Sequence, residues 1–395
     1  MKTYIKNALF MFLILFLLIV IIKHPEASLN SAYDGLMTWF NIVFPSLFPF
    51  FIISEILIEL KFVNIIGNAL KPIMYPLFNV SGESAFPFAM SVISGYPIGA
   101  KITSSLREKR LLSKTEAERT ISFSSTSGPL FMLGAVSIGM LRNPNVAPLI
   151  MLSHYLGALT VGILFRFYKK KEKPTHKANT RNIKVVAEIL NRHYSIGSVL
   201  GSSISKSINT ILLVGGLIIF YSVFTELLFV SNTFNKFINT VGNLIPFNIN
   251  MELLKGILAG LLEITTGIKR ISSINMNLVY KLLIINFLIG WSGFSIHSQA
   301  LSFISQTDIN SRLYIFSKLL HGIFSSLYGG LLYAAKYREY IEPSFMPGPY
   351  IADYYFTGQW QAIFLSSFKI AILASLYMLI SSAILLIIYR ISERA

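Results

Sequence analysis

Glycine, proline and hydroxyl residues are concentrated in the stretch 94–101, SGYPIGAK, which ends an apolar segment. Two glycines and a proline disfavour a regular helix there, and this leaves backbone N–H and C=O groups available to a polar ligand. Tyr96 adds a flat aromatic face and Lys101 a positive charge. We predict a solute-binding role for Ser94, Gly95, Tyr96, Pro97, Gly99 and Lys101. The alternative is a plain helix-breaking turn at the membrane surface.

A second stretch that could do chemistry is 262–267, LEITTG, in which Glu263 lies within an apolar hairpin. An ionisable residue inside an apolar segment is costly and is a functional candidate by default. Glu263 could bind a polar substrate group, carry a coupling H⁺ or help to hold Na⁺. Otherwise it is an interfacial glutamate that is hydrogen-bonded to threonine. The candidate residues in this stretch are Glu263, Thr265, Thr266 and Gly267.

Two further pairs of residues occupy corresponding places in the two halves of the chain. Glu55 and Glu226 are mirrored acids in apolar segments, and they are further candidates for ion coupling. They either line a solute path or tie each helix to its neighbouring hairpin. The pairs Ser127-Gly128 and Ser292-Gly293 interrupt apolar segments with small polar residues. Such interruptions suit unwound helices that face a binding site, or close helix packing through small residues.

An enzymatic function is disfavoured by the residue patterns. The chain has six histidines but no His-Glu-x-x-His pair, and it has no cysteine. His297 and His321 suit helix ends or packing better than metal ligation, because the spacing typical of ligands is missing. Neither a nucleophile elbow nor a P-loop is present. We therefore predict no enzyme activity, no cofactor and no metal.

The elements that must position these residues are membrane helices. Of the 395 residues, 53% are hydrophobic and only 13% are charged, against about 25% charged in ordinary soluble domains. Several apolar segments are long enough to cross a bilayer. The net charge of +16 lies mostly in hydrophilic loops, so it indicates topology and not nucleic-acid binding.

The mirrored motifs predict an internal repeat. The acid-containing segment at 54–57, the segment at 99–105 and the Ser-Gly pair at 127–128 recur in the same order at 225–228, 267–273 and 292–293. We predict an all-α polytopic membrane protein with two inverted-topology repeats, each with a re-entrant helical hairpin. It would have about eight spanning helices. The hairpins follow from paired segments that glycine and proline break.

The predicted organisation places both termini in the cytoplasm, because Lys and Arg concentrate in the segments that would then lie inside. An N-terminal anchor helix occupies 1–34, and the first repeat occupies 35–168 with its hairpin at 62–99. A basic cytoplasmic linker at 169–207 joins it to the second repeat at 208–335, whose hairpin is at 233–268. An extracytoplasmic loop and a C-terminal helix occupy 336–395. The linker suits a tether on anionic headgroups.

Several of these motifs resemble those of the sporulation integral membrane protein YlbJ family. They are SGYPIGAK at 94–101, SGP at 127–129 and HYLGA at 154–158. In the second half, EIT-x-G at 263–267 is similar to the same family and to its Gate-type nucleoside-recognition segments. The resemblance covers about residues 35–335, and the first motif is the most specific.

The resemblance implies a bacterial endospore-former and a protein made in the mother cell. Members of this family are linked to moving dipicolinic acid across the outer forespore membrane, with a fold similar to concentrative nucleoside transporters. Helix N-termini at broken hairpins suit carboxylates, and Lys101 and Lys269 are mirrored cations. Glu263 would repel a dianion unless it is protonated or paired, which favours H⁺ coupling or contact with a cation.

The leading hypothesis is therefore a secondary transporter of a small anionic or nucleoside-like solute, with dipicolinate as the specific candidate. Its partners would be the solute, the lipid bilayer and a coupling H⁺ or Na⁺. The rival hypothesis is a non-transporting membrane scaffold that recruits partners through the basic linker.

Overall fold

The computed structural model describes residues 2–60, 70, 72–172, 195–244 and 250–337. The described residues form helices and connecting turns without β-strands, so the all-α prediction is confirmed for them. The α-helices are α1 Lys2–Lys23, α2 Pro25–Thr38, α3 Phe44–Glu59, α4 72–78, α5 Ala85–Ser94, α6 Ile98–Glu108, α7 Lys114–Ser124, α8 Ala147–Phe165, α9 Ile196–Val230, α10 Asn232–Leu244, α11 Met251–Leu262, α12 Ile264–Ser273, α13 Leu278–Trp291, α14 Gly293–Ile304 and α15 Ser311–Leu332. A π-helix at Leu130–Met140 lies between α7 and α8.

Among the described residues, four helical segments are long and apolar enough to cross a membrane, which agrees with the predicted membrane class. They are Pro144–Phe165, Ile196–Val230, Leu278–Ile304 and Ser311–Ala335. A fifth candidate is the pair Ile14–Lys23 and Pro25–Asn41, bent by 107° at a short break. The eight spans and the inverted repeat stay predictions. The predicted loop at 338–360 and the C-terminal helix lie outside the described residues, as does most of the linker.

The described residues divide into two compact units, and each unit takes segments from both halves of the sequence. The first unit comprises residues of Met1–Glu55, Ile196–Asn275 and Ser292–Gln299. The second comprises residues of Ile56–Ser195, Met276–Trp291 and Ala300–Ala395.

In the first unit, the long helix α9 packs along α2. The Trp39 indole donates a hydrogen bond to the Ile211 carbonyl over 3.0 Å, and its ring covers Gly215. Helices α11 and α12 form an antiparallel pair beside the end of α9. Phe229, Ile238, Leu254 and Ala259 form a small apolar core there.

In the second unit, helices α8, α13 and α15 meet along a line of small residues, here called the glycine seam. A Cβ atom on Gly290 would lie 2.6 Å from the Gly322 Cα, and one on Gly157 would lie 2.5 Å from the Ser325 hydroxyl. A Cβ on Gly329 would overlap the Asn286 amide. The three helices therefore approach one another almost backbone to backbone, as small residues allow in membrane proteins.

Helix α7 packs on α8 and α15 of this three-helix core, and α5 and α6 pack on α7. Phe78 and Phe123 stack with ring centroids 4.4 Å apart, and Gly162 of α8 lies against the Phe78 ring and the Phe123 Cβ. The Arg119 guanidinium of α7 is buried and donates to the carbonyls of Tyr168 and Lys169, beyond the end of α8. Arg119 thereby fixes the turn that follows α8, and its positive charge has the sign that is favourable near a helix C-terminus.

An ion pair outside the spanning segments links α6 to the turn that precedes α15. Arg107 donates two hydrogen bonds to the Asp308 carboxylate, at 2.7 and 2.9 Å. These bonds hold the pKa of the Asp308 carboxyl below its ordinary value, because they favour the ionised form.

Candidate functional site

The helix breaks that the sequence predicts in the first half come together in the second unit. Helix α5 ends at Ser94, α6 begins at Ile98, and residues 125–128 after α7 are not helical. Gly95 has a φ of +91°, and a Cβ there would lie 2.6 Å from the Gly128 backbone nitrogen. Only glycine fits such a conformation and such a close approach. The structure therefore brings the stretch 94–99 against the unwound segment at Ser127 and Gly128.

A buried lysine lies beside these breaks. Lys318 of α15 has 0% of its surface exposed. Its ammonium nitrogen is 2.8 Å from the Ser125 carbonyl oxygen and 3.1 Å from the Tyr96 hydroxyl. The third neighbour is the His321 Nδ1, at 3.0 Å, and the Tyr96 ring centroid is 4.7 Å away. Among the described residues of this unit, no carboxylate forms an ion pair with Lys318.

Two buried histidines extend the cluster around Lys318. The His321 Nε2 lies 2.8 Å from the His154 carbonyl oxygen, so it carries the hydrogen and the Nδ1 accepts from Lys318. The His154 Nε2 accepts from the Ser127 backbone N–H at 2.8 Å, so the hydrogen of neutral His154 is on Nδ1. That Nδ1 is buried and has no hydrogen-bond partner in the described part of the chain.

Tyrosine hydroxyls surround the same cluster. Tyr96 donates to the Ile289 carbonyl of α13 over 2.9 Å. The Tyr314 hydroxyl lies 3.4 Å from that of Ser125, and Tyr155 donates to the Ser127 carbonyl over 3.3 Å. The neighbours of Lys318 are thus hydroxyls, carbonyls and imidazoles. We name the group Tyr96, Ser125, His154, Lys318 and His321 the cationic cluster.

Several other polar atoms close to this region are buried without a partner in the described residues. They are the hydroxyls of Ser94 and Ser325 and both amide atoms of Asn286. Buried polar groups are normally paired, so orphans of this kind call for a ligand, a water or a strained site. Lys101, predicted as a site residue, is buried in α6 at 8% exposure.

The predicted residues of the second half lie in the first unit and meet one another there. Glu263 separates α11 from α12, and its two carboxylate oxygens accept from the Thr265 and Thr266 backbone N–H groups, at 3.0 and 2.7 Å. Gly267 packs directly on Gly260. Glu263 is therefore the N-cap of α12, a role that a carboxylate at a helix start fulfils well.

The break at Ser292 and Gly293 lies against the same hairpin. Both residues have a φ of +74°, and a Cβ on Gly293 would lie 3.2 Å from the Leu262 carbonyl oxygen and from the Ile264 nitrogen. The structure thus brings Ser292 and Gly293 next to the Glu263 hairpin within this unit. Whether these residues bind solute stays a prediction.

The two mirrored acids also belong to the first unit. A carboxylate oxygen of Glu226 lies 3.7 Å from the Arg270 guanidinium of α12, and that guanidinium covers the Phe229 ring at 4.5 Å. This contact ties α9 to the second hairpin, the structural alternative that the sequence left open. Glu55 is buried in α3 at 5% exposure.

The variant Glu263→Gln is expected to destabilise the protein by about 0.5–2 kcal/mol, the usual cost of losing a helix cap. A carboxamide oxygen replaces only one of the two acceptors, and its NH₂ group would face a backbone N–H. Thermal unfolding of the purified variant in detergent measures this cost. If the variant transports solute at the wild-type rate, the role of Glu263 is limited to capping α12. If transport is lost while the amount of protein in the membrane stays normal, the predicted solute-binding role of Glu263 is supported.

Sequence reasoning missed the centre of the cationic cluster. Lys318 lies within an apolar segment at 314–335, and an ionisable residue in such a segment is the signal that identifies it. His321 follows three residues later on the same helix face, and we interpreted it as a packing residue. His154 belongs to the HYLGA motif, but nothing in that motif predicts its hydrogen bond to the unwound segment.

The apolar helices, the helix breaks and the buried cationic cluster define a polytopic integral membrane protein with a polar interior. Residues 40–206 match the Gate family, described as nucleoside recognition. The chain is 38% identical over 339 residues to the sporulation integral membrane protein YlbJ of Bacillus subtilis (strain 168), and the match covers 83% of each chain. It belongs to that family, which confirms the resemblance seen in the sequence motifs. No solved structure matches the chain.

Proposed function

We propose that the protein is a secondary transporter of a small organic anion, and that dipicolinate is its solute. The observation that carries this proposal is that Lys318 is buried beside two helix breaks. In the described part of its unit, Lys318 has no carboxylate partner. The family assignment makes it a membrane protein of sporulation. We propose the outer forespore membrane as its location, with both termini in the cytoplasm.

The charge of the cationic cluster favours an anionic solute. An uncompensated ammonium in an apolar interior is costly, and it is stabilised by a paired opposite charge. A carboxylate that reaches Lys318 would supply that charge, and the His154 Nδ1–H offers a second donor. A neutral nucleoside, the ligand class named in the description of the Gate family, would supply no negative charge to the lysine. This difference is why we favour an anion.

The positions of the helix breaks support the predicted inverted repeat. In the first half, a hairpin turn at Gly95 is followed by the break at 125–128. In the second half, the turn at Glu263 is followed by the break at Ser292 and Gly293. Broken helices at corresponding places in two halves are typical of secondary transporters, where they surround the solute. We propose that the re-entrant hairpins and about eight spans belong to this architecture.

Uptake into proteoliposomes tests the proposed function. Purified protein should accumulate labelled dipicolinate above the level of protein-free vesicles, with saturation at high solute concentration. An excess of unlabelled dipicolinate should compete, and an excess of uridine should not. Saturable uptake of uridine in place of dipicolinate would reassign the solute. Absence of uptake for both solutes, across imposed H⁺ and Na⁺ gradients, would favour the scaffold alternative.

A further inference from the structure

The hydrogen bonds around Lys318 and His321 determine how many protons these two side chains share. The His321 Nε2 carries a hydrogen because it faces the His154 carbonyl oxygen at 2.8 Å. Its Nδ1 therefore accepts, and the hydrogen in the 3.0 Å contact comes from Lys318. The protonated pair holds one excess proton, with all three ammonium donors directed to Tyr96, Ser125 and His321.

The pair can also lose that proton and keep its hydrogen bonds. A neutral amine has two hydrogens and one lone pair, so it still donates to the Ser125 carbonyl and to the His321 Nδ1. The Tyr96 hydroxyl, 3.1 Å from the amine nitrogen, then turns its one hydrogen to the amine and gives up its hydrogen bond to the Ile289 carbonyl. A second excess proton is excluded, because two cations 3.0 Å apart would repel and the Nδ1 acceptor would be lost.

The surroundings make the charge of the pair depend on a bound anion. The titratable groups that face it are Tyr96 from the α5–α6 turn, Tyr314 from α15, and His154 and Tyr155 from α8. Helix α13 contributes the Ile289 carbonyl to the Tyr96 hydroxyl.

The acids of α7 lie at the distant end of that helix, away from the cluster. There Glu116 accepts from the Ser81 and Ser113 backbone N–H groups, and Glu118 accepts from that of Asn310. None of the described groups that face the pair supplies a negative charge. An empty protonated site would consequently be an isolated buried cation, a state of high cost.

We propose that the Lys318–His321 pair takes up one proton when an anion binds and releases it when the anion leaves, so that solute and proton cross the membrane together. The proton comes from the aqueous phase on the entry side and returns to water on the exit side. No covalent bond other than N–H is made or broken. This inference rests on the proposed function and adds the coupling ion to it.

Proton movement during uptake tests the inference in the wild-type protein. Proteoliposomes containing a trapped pH-sensitive dye should acidify inside when external dipicolinate enters, with close to one proton per anion. An inward proton gradient should speed net uptake at least threefold, and a Na⁺ gradient should not. Anion uptake without proton movement overturns the inference and leaves the proposed function intact. Absence of any anion uptake removes both.

The variant Lys318→Arg separates binding from coupling. A guanidinium keeps the charge and the donors but does not give up its proton, so the empty site remains a buried cation. We expect exchange of internal for external dipicolinate to stay within about threefold of wild type, because the site is loaded in both directions. Net uptake and proton movement should fall at least tenfold.

A matched control is Lys281→Arg, the same substitution near the start of the spanning segment Leu278–Ile304. It should leave exchange, net uptake and proton movement unchanged. Net uptake by Lys318→Arg with one proton per anion would place the coupling proton elsewhere and overturn the inference. If Lys318→Arg does not accumulate in the membrane, the wild-type proton ratio alone decides.

Discussion

Lys318→Met is expected to reduce dipicolinate transport by roughly 10- to 100-fold, because a hydrogen bond to a charged group is worth about 1.5–3 kcal/mol. Methionine matches the length of lysine but supplies neither charge nor donor. The Ser125 carbonyl, the Tyr96 hydroxyl and the His321 Nδ1 would each lose the ammonium. Initial uptake rates in proteoliposomes, normalised to the amount of protein, measure the loss.

The effect on folding should be smaller than the effect on transport. The variant removes the cost of burying a charge that has no carboxylate partner, and this gain offsets part of the loss of its hydrogen bonds. Membrane accumulation of Lys318→Met should therefore be close to wild type. The control is Lys281→Met, at a half-buried position near the start of α13, where we expect transport within twofold of wild type. Wild-type transport by Lys318→Met would exclude the cationic cluster as the solute site.

The second large effect is expected from Gly99→Ala, which adds a single methyl group. A Cβ at Gly99 would overlap the carbonyl oxygen of Ser124, the last residue of α7. Backbone cannot move aside as a flexible side chain does, so α6 must withdraw from α7. We expect a destabilisation of about 3 kcal/mol, at the upper end of overpacking costs. Transport should also be lost, since Ser125 and its contact with Lys318 follow directly.

Gly216→Ala is the matched control for this substitution. It lies in α9, where an added Cβ has nothing within 4 Å. Because alanine is the better helix former, this variant should keep or slightly raise the thermal stability. Unfolding temperatures of both variants in the same detergent provide the comparison. Equal unfolding temperatures for Gly99→Ala and wild type would contradict the close approach of α6 and α7.

The helix breaks were predictable because the causes are local. Gly95 and Pro97 disfavour a helix wherever they occur, and the chain turns there. The break at Ser292 and Gly293 has a similar origin, since both residues adopt a positive φ. The lengths of the spanning helices follow equally from local hydropathy: the apolar segment at 147–168 contains α8, Ala147–Phe165.

The cationic cluster was not predictable in the same way, because it depends on contacts between distant parts of the chain. Tyr96 and Lys318 are 222 residues apart in the sequence. The apolar pattern at 314–335 predicts the helix correctly, but it does not indicate a function for the one lysine inside it. Glu263 shows the opposite difficulty: its acidity suggested chemistry, while the structure uses both carboxylate oxygens to cap α12.

The glycine seam has a mechanical consequence for the proposed transport cycle. Where Gly290 meets Gly322, the two backbones are in direct contact, with no side chain between them that could change rotamer to absorb a displacement. A shift of α15 would therefore carry α8 and α13 with it. We therefore expect these three helices to move as one rigid body. If the protein transports a solute as proposed, the elements that open and close would be the shorter, broken helices that pack beside these three.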